Sequence, residues 1–405
     1  MSQIEKYTEF VGREFIEELK ILANNLVSKV GKKVRILHVN TTKEGGGVAE
    51  ILNSLVPLMN DLDLETDWKI FKGTNGFFKF TKKIHNLLHL PTGEKITSQE
   101  IALYLRTTYD NFSINTEDYD FVFIHDPQPM GLILKKQKNQ KWIWRCHIDT
   151  STPDPKAWDF LKNFIDAYDV AIFHLPEFIQ EDIEIKSYII PPSIDPLHPK
   201  NIELDTNFIE QTLSKFNVDP EKPILLQVSR FDRLKDPIGV YKAYRIVKRK
   251  YDCQLVLLGS YASDDPEGEE VYKEVINIAS SDKDVFILNL PPTSHLEVNA
   301  FQRAATVVFQ KSIREGFGLV VSEAMFKGKP VIGGNVGGIR RQIVDGVTGF
   351  LVNTIEGAAY RAIQLIANKE MRERMGDLAR EYVKNRFLIT RHLKDYLVLL
   401  NRFYD

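Results

Sequence analysis

A chain of 405 residues is too long for one ordinary core and points to two domains. Hydrophobic residues at 43% and charged residues at 27% are values of a globular protein, and a net charge of −2 supplies no basic field to attract nucleic acid or anionic lipid. The two cysteines, Cys146 and Cys253, fall in separate predicted domains without a paired-cysteine metal pattern, so a disulfide framework is disfavoured and a reducing cytoplasm is the expected compartment.

The opening residues Met1, Ser2, Gln3, Ile4, Glu5 and Lys6 lack an apolar signal core. No uncharged apolar run approaches the ~18 residues of a membrane span, and no fixed-period repeat is present. Residues 10–30 place apolar positions at helical spacing and predict an amphipathic helix. Residues 33–40 read as a buried strand, a polar turn ends in Gly45, Gly46 and Gly47, and residues 48–59 resume a helical pattern. Further strands are predicted at Phe121–His125, 142–147, 170–174 and 188–191, with helical patterns between most of them. Such alternation implies a parallel sheet covered on both faces. Pro191, Pro192 and Pro196 put three prolines into six residues, which no central strand or helix accepts, so the domain linker is placed there.

The second half starts afresh, with strands at 223–229, Gln254–Gly259, 285–290, 306–310 and 330–333. Helices are predicted from Pro237, at 269–280, at His295–Ala304 and at 318–327, and a final helix at 389–403. The expected architecture is α/β: an N-terminal Rossmann-like acceptor domain over residues 1–193, a C-terminal Rossmann-like donor domain over 194–385, and a C-terminal helix within 386–405 for packing back on the N-terminal domain. Two doubly wound sheets facing a central cleft bind ligands at the carboxyl ends of their strands, where strand order reverses.

The strongest motif runs from Ser312 through Glu315, Gly316, Phe317, Gly318 and Leu319 to Glu323. A strand ends, a glycine-rich turn follows, and a helix begins whose unpaired N–H groups and dipole favour an anion. Glu315 on the loop and Glu323 in the helix suit sugar and ribose hydroxyls; the plainer reading makes both solvated glutamates. The segment 227–236 carries Arg230 directly after a buried strand and Lys235 near the next helix start. Two cations there neutralise a diphosphate, the arginine as a planar fork and the lysine as a point charge. Arg233 reads as an ordinary surface residue.

Gly45, Gly46 and Gly47 let backbone approach a ligand closely, yet the dinucleotide fingerprint is absent because the glycines are contiguous and Glu50 follows. A nicotinamide enzyme is thereby disfavoured. At the ends of N-terminal strands, Asp126, His147 and Asp149 are candidate sugar contacts. His125 and His147 also raise a metal hypothesis, which no ligand spacing supports; satisfied sheet-edge histidines are the commoner case. His174 and Glu177 repeat that pattern more weakly. Asp264, Asp265 and Glu267 lack the spacing of an acidic metal clamp, so no metal and no cofactor is expected.

These residues resemble the retaining glycosyltransferases of the GT-B fold, through the Glu315–Glu323 spacing together with Arg230 and Lys235. The segments 125–129, 144–149, 191–196, 298–304 and 329–333 resemble the archaeal trehalose glycosyltransferring synthases more closely. The resemblance covers residues from about Lys33 onward. It implies transfer of glucose from an ADP-, UDP- or GDP-glucose to free glucose, giving α,α-trehalose with the donor configuration kept. It further implies that Arg230 and Lys235 hold the diphosphate and Glu323 the ribose. By the same resemblance Glu315, with the backbone of Gly316, Phe317 and Gly318 and the neighbouring Leu319, is expected to hold the donor hexose. The loop of Gly45, Gly46 and Gly47 closes over the phosphates, His147 lies near the reacting carbon, and Asp126, His147 and Asp149 meet the acceptor. The partners implied are a small sugar donor and acceptor, with no nucleic acid and no membrane; a homo-oligomer is left open. Rival readings are a trehalose phosphorylase, a transferase with another acceptor, and a non-catalytic sugar or nucleotide sensor.

Overall fold

A computed structural model describes residues 2–44, 46–260 and 266–405; Gly45, Asp264 and Asp265, singled out above, lie outside them, as does the Glu267 side chain. The chain divides into two compact units, residues Met1–Ser193 with Ile389–Asp405, and Ile194–Leu388. Each is built on a six-stranded parallel sheet.

In the first unit the strands are β1 (Arg35–Asn40), β2 (Glu65–Ile70), β3 (Phe121–His125), β4 (Lys141–Arg145), β5 (Val170–Phe173) and β6 (Lys186–Ile189). They lie in the order β2-β1-β3-β4-β5-β6, so the order reverses between β1 and β3. Phe121, Val122, Phe123 and Ile124 are all fully buried, the continuous apolar run of a strand covered on both faces. Helices start where side chains cap them. Asp154 accepts from the N–H groups of Lys156 and Ala157 with Pro155 next in line, and Thr97 and Glu100 form a reciprocal capping box.

Residues 389–405 belong to this unit. The helix Ile389–Asn401 packs on the helix Arg13–Val30, where Lys394 meets Glu18 at 2.7 Å and the Asn401 amide donates to the Leu22 carbonyl at 3.0 Å. Arg391 donates to the carbonyls of Pro191 and Pro192, and the Ser193 hydroxyl lies 2.9 Å from His392 Nδ1.

The second unit contains β7 (Ile224–Val228), β8 (Gln254–Gly259), β9 (Val285–Asn289), β10 (Val307–Gln310), β11 (Val331–Gly334) and β12 (Gly349–Val352), ordered β12-β11-β10-β7-β8-β9. Its reversal falls between β7 and β10. The sequence reading passes over β2 and β12, and each is an outer strand of its sheet.

Lys329, just before β11, is half-buried among like charges. Burial pulls its ammonium down to about 8, and Arg372, Arg303 and Arg380 press in the same direction. Its folded value lies below that of the unfolded chain, so the native state holds fewer protons across the interval between them. Stability from this group therefore rises with pH from about 8 toward 10.5 and is lost as pH falls through that window. Lys329→Met is expected to raise stability at pH 7 by roughly 3 kcal/mol, a gain that fades on approach to the unfolded lysine value. Urea midpoints of both proteins across that range check it; a pH-independent difference would contradict the depressed lysine.

Among the described residues no helix is long and apolar enough to cross a membrane, and no group of three or more His, Cys, Asp or Glu is placed to hold a metal ion.

Candidate active site

In the second unit the loops after β7 and β10 lie side by side at the switch point. The Ile313 N–H donates to the Leu234 carbonyl at 2.7 Å, and the Gln227 amide holds the Lys235 carbonyl at 2.7 Å. This brings Lys235 Nζ to 2.6 Å from Glu315 Oε2, with side chains 17% and 9% exposed. The same carboxylate oxygen accepts from Gln310 Nε2 and Ser312 Oγ, each at 3.2 Å. Lys235 and Glu315 are therefore a charge-assisted pair walled by neutral donors. Arg230 stands apart, its side chain 58% exposed and 3.6 Å from Asp232. Arg233 binds Glu270 and Glu274 on the surface, the ordinary role expected of it.

Beyond Glu315 the chain turns through Gly316, Phe317 and Gly318 into the helix Leu319–Phe326. Gly318 has φ +81° and a Cβ there would lie 3.1 Å from Glu315 Cγ, so the turn needs glycine. The Gln342 amide, also bonded to the Ser322 hydroxyl, props the loop by donating to the Phe317 carbonyl at 2.6 Å. A Cβ on Gly338 would stand 2.4 Å from Phe317 Cα, so glycine lets the loop settle there.

Glu323 is a surprise for an expected ligand residue, being only 2% exposed. It accepts from Gln302 Nε2 at 3.2 Å, and Lys200 Nζ lies at 3.8 Å. Lys327 donates to the Glu323 carbonyl at 3.1 Å and to Asn201 Oδ1 at 3.0 Å. Burial pushes the Glu323 carboxyl up, but Lys200, Lys327 and Gln302 outweigh it and hold the group below the usual carboxylate range. Lys327 itself is pulled down to about 7 by burial, against the attraction of Glu323. Lys200 beside the carboxylate and Lys327 at its backbone carbonyl therefore favour the anionic form of this buried group.

In the first unit, Gly46 has φ +84° and Gly47 opens the helix Gly47–Asp61. The turn before them is tied down: the Asn40 amide donates to the Thr42 carbonyl, and Trp68 Nε1 to Asn40 Oδ1, at 2.8 and 2.7 Å. Asp126 sits in the left-handed region at φ 63°, and its Oδ1 accepts the His147 N–H at 2.7 Å. Burial raises the Asp126 carboxyl to about 7, opposed by that N–H and by the buried Arg145 guanidinium. Asp149 accepts from the Ser151 N–H and hydroxyl, at 2.9 and 2.6 Å.

Histidine dominates this face. His38 Nδ1 lies 3.0 Å from His125 Nε2, His125 Nδ1 3.0 Å from His147 Nε2, and His147 Nδ1 3.3 Å from His174 Nε2. Burial first, and Arg145 with neighbouring imidazoles after it, hold His125 and His147 well below the usual histidine range. The sequence reading stopped at His125, His147 and His174; His38, in mid-strand, gave no sign of itself. Lys200, Gln302 and Lys327 around Glu323 were missed as well. Gln310 and Ser312, polar residues at the end of a buried strand beside the motif, were the readable signal for what surrounds Glu315.

Two family profiles divide the chain: "Trehalose synthase, N-terminal domain" matches residues 38–180 and "Glycosyl transferases group 1" residues 208–382. The trehalose synthase of Thermococcus litoralis is 47% identical over 99% of this chain and 97% of its own length. A trehalose phosphorylase of Pleurotus pulmonarius is 28% identical over 95% of this chain but only 59% of its own. Among solved structures, the trehalose-6-phosphate synthase OtsA superposes with a TM-score of 0.74 at 13% identity, covering 90% of this chain and 98% of that one. A full-length match at this identity, two parallel doubly wound sheets and that superposition agree: the chain is a hexosyltransferase of GT-B fold and belongs to the trehalose synthase family.

Proposed function

We propose that the enzyme moves glucose from a nucleoside-diphosphate glucose to free glucose, giving α,α-trehalose and a nucleoside diphosphate with the donor configuration retained. The observation that carries this reading is the Lys235–Glu315 pair at the β7/β10 switch point, beside the start of the helix Leu319–Phe326. An anionic leaving group is served there by a cation and by unpaired helix N–H groups.

A nucleoside diphosphate is already a weak base, so its departure calls for positive charge more than for a proton. Arg230 and Lys235 supply that charge, which leaves no role that requires a metal. Because Glu315 already binds Lys235, the pair is neutral as a unit, and Arg230 carries the larger share at the diphosphate. Glu315 and the backbone of Gly316, Phe317 and Gly318 take the hexose hydroxyls, and Glu323 the ribose. Asp126 and Asp149 meet the acceptor. Both ring nitrogens of His147 are engaged by other histidines and its N–H by Asp126, leaving the ring's carbon edge as its route to the donor sugar.

Glu315 and Glu323 are not a hydrolase pair. Such carboxylates flank one bond at close range, whereas these two occupy different pockets, one facing Lys235 and the other Gln302 and Lys200. Front-face attack and a covalent intermediate both give retention; in the first, a leaving phosphate oxygen takes the acceptor proton. A cytoplasmic protein acting on small sugars fits the composition.

Incubation with ADP-, UDP- or GDP-glucose and free glucose, with chelator present, is expected to yield an α,α-linked disaccharide by anomer-resolved NMR, with matching release of nucleoside diphosphate. Formation of the disaccharide from glucose 1-phosphate without any nucleotide would replace this reading with a phosphorylase.

A further inference from the structure

The four histidines stand on four adjacent strands or their ends, and the parallel register sets them on one face. His38 pairs with Phe123, two residues before His125. His125 pairs with Arg145, two before His147, and Arg145 pairs with Ile172, two before His174. Side chains two apart on a strand share a face, so β1, β3, β4 and β5 present an unbroken row of imidazoles. We infer that His38, His125, His147 and His174 form one tautomeric relay, in which His125 is a positioning residue that fixes the proton of His147 on Nδ1.

A neutral imidazole has one donor and one acceptor. A row joined Nδ1 to Nε2 at 3.0, 3.0 and 3.3 Å therefore has two self-consistent states: every ring protonated on Nδ1, or every ring on Nε2. The buried end chooses between them. His38 is 0% exposed, stacked on Phe123, and its Nε2 has no hydrogen-bond partner. In the first state that atom is an unused lone pair; in the second it is a buried N–H without an acceptor, the costlier orphan. The row thus points from His38 to His174. It has no exit at its buried end, so it conducts no net proton and acts as a lock.

Neutrality is maintained by the surroundings. Burial brings His38 down to about 3. The charged and titratable groups facing the row are Arg145 from β4, Asp126 from the β3 loop, and His392 and Tyr396 from the helix Ile389–Asn401. The consequence for catalysis rests on the placement of His147 beside the donor: a locked, neutral ring adds no positive charge next to a carbon that becomes cation-like.

The test is two-bond proton–nitrogen correlation on the whole chain carrying nitrogen-15 histidine. Expected is a proton on Nδ1 of His38, His125 and His147. A proton on Nε2 of any of them would overturn the relay, and this readout needs no variant. His125→Phe cuts the row and keeps an aromatic ring; His147 is then expected to show both tautomers, with kcat lowered roughly tenfold and donor KM unchanged. His125→Asn, whose amide nitrogen stands where Nδ1 did, is expected to restore both readings. An unchanged His147 tautomer in His125→Phe overturns the proposal. Mixed tautomers with unchanged kcat leave the relay standing and overturn the placement of His147 at the donor.

Discussion

Arg230→Ala is expected to lower kcat by roughly 10³-fold, the upper end of what one lost preorganised donor costs, without moving the melting temperature. The two halves of that expectation have separate grounds. The side chain is 58% exposed and touches Asp232 only at 3.6 Å, so truncation removes little that holds the fold together. In the proposed donor complex, by contrast, Lys235 is half-spent on Glu315, and Arg230 is the cation whose fork is left for two phosphate oxygens. Arg230→Lys should recover part of the rate, because a point charge replaces the charge but not the bidentate geometry. Initial rates at saturating donor, read as nucleoside diphosphate released, decide the matter. Near-normal turnover in the alanine variant would remove Arg230 from leaving-group stabilisation.

The second large effect separates architecture from chemistry at Lys235 and Glu315. Lys235→Met leaves the Glu315 carboxylate, 9% exposed, with two neutral donors at 3.2 Å and no cation. An abandoned buried charge costs roughly 3 kcal/mol, and turnover is expected to collapse with it. In Lys235→Met/Glu315→Gln the charge is gone, so most of the stability returns while the activity does not. Urea midpoints and kcat on these two, on Glu315→Gln and on the wild type complete the cycle. A coupling energy of only a few tenths, about 0.3 kcal/mol, would mean that water screens the pair and that the pocket is wetter than its exposure implies.

Strands were legible in the sequence wherever a strand is buried on both faces. Residues 121–124, 224–228 and 254–259 are continuous apolar or amide runs, and each became an inner strand. The two that escaped have physical reasons. β2 reads Glu65-Thr66-Asp67-Trp68-Lys69-Ile70, with a charge at every second position of an outer strand, a pattern indistinguishable from a polar loop. β12 is four residues starting at Gly349 after a turn, too short to show a period.

The candidate site was legible as residue types at strand ends, and illegible as contacts. Nothing in the segments around Lys235 and Glu315 says that β7 and β10 are neighbours, since β8 and β9 intervene in the chain; strand order makes that pair. The same holds for histidine. Three rings were visible at strand ends, but their joining into a row depends on register, and register is a property of the assembled sheet. At Glu323 the residue was legible and its burial was not: a glutamate in a helix reads as exposed unless its basic neighbours are known, and Lys200 comes from more than a hundred residues earlier.

The return of residues 389–405 to the first unit has a consequence for how the protein is made. As the chain leaves the ribosome, Met1–Ser193 emerges first but lacks the helix that supplies Tyr396 against His38 and Phe123, and Arg391 against the carbonyls of Pro191 and Pro192. The second unit is continuous from Ile194 to Leu388, so its last segment leaves the ribosome ahead of the helix that completes the first. The order of completion therefore inverts the order of translation: the part made second is finished first. The histidine row waits, open on one side, for the segment that follows Leu388.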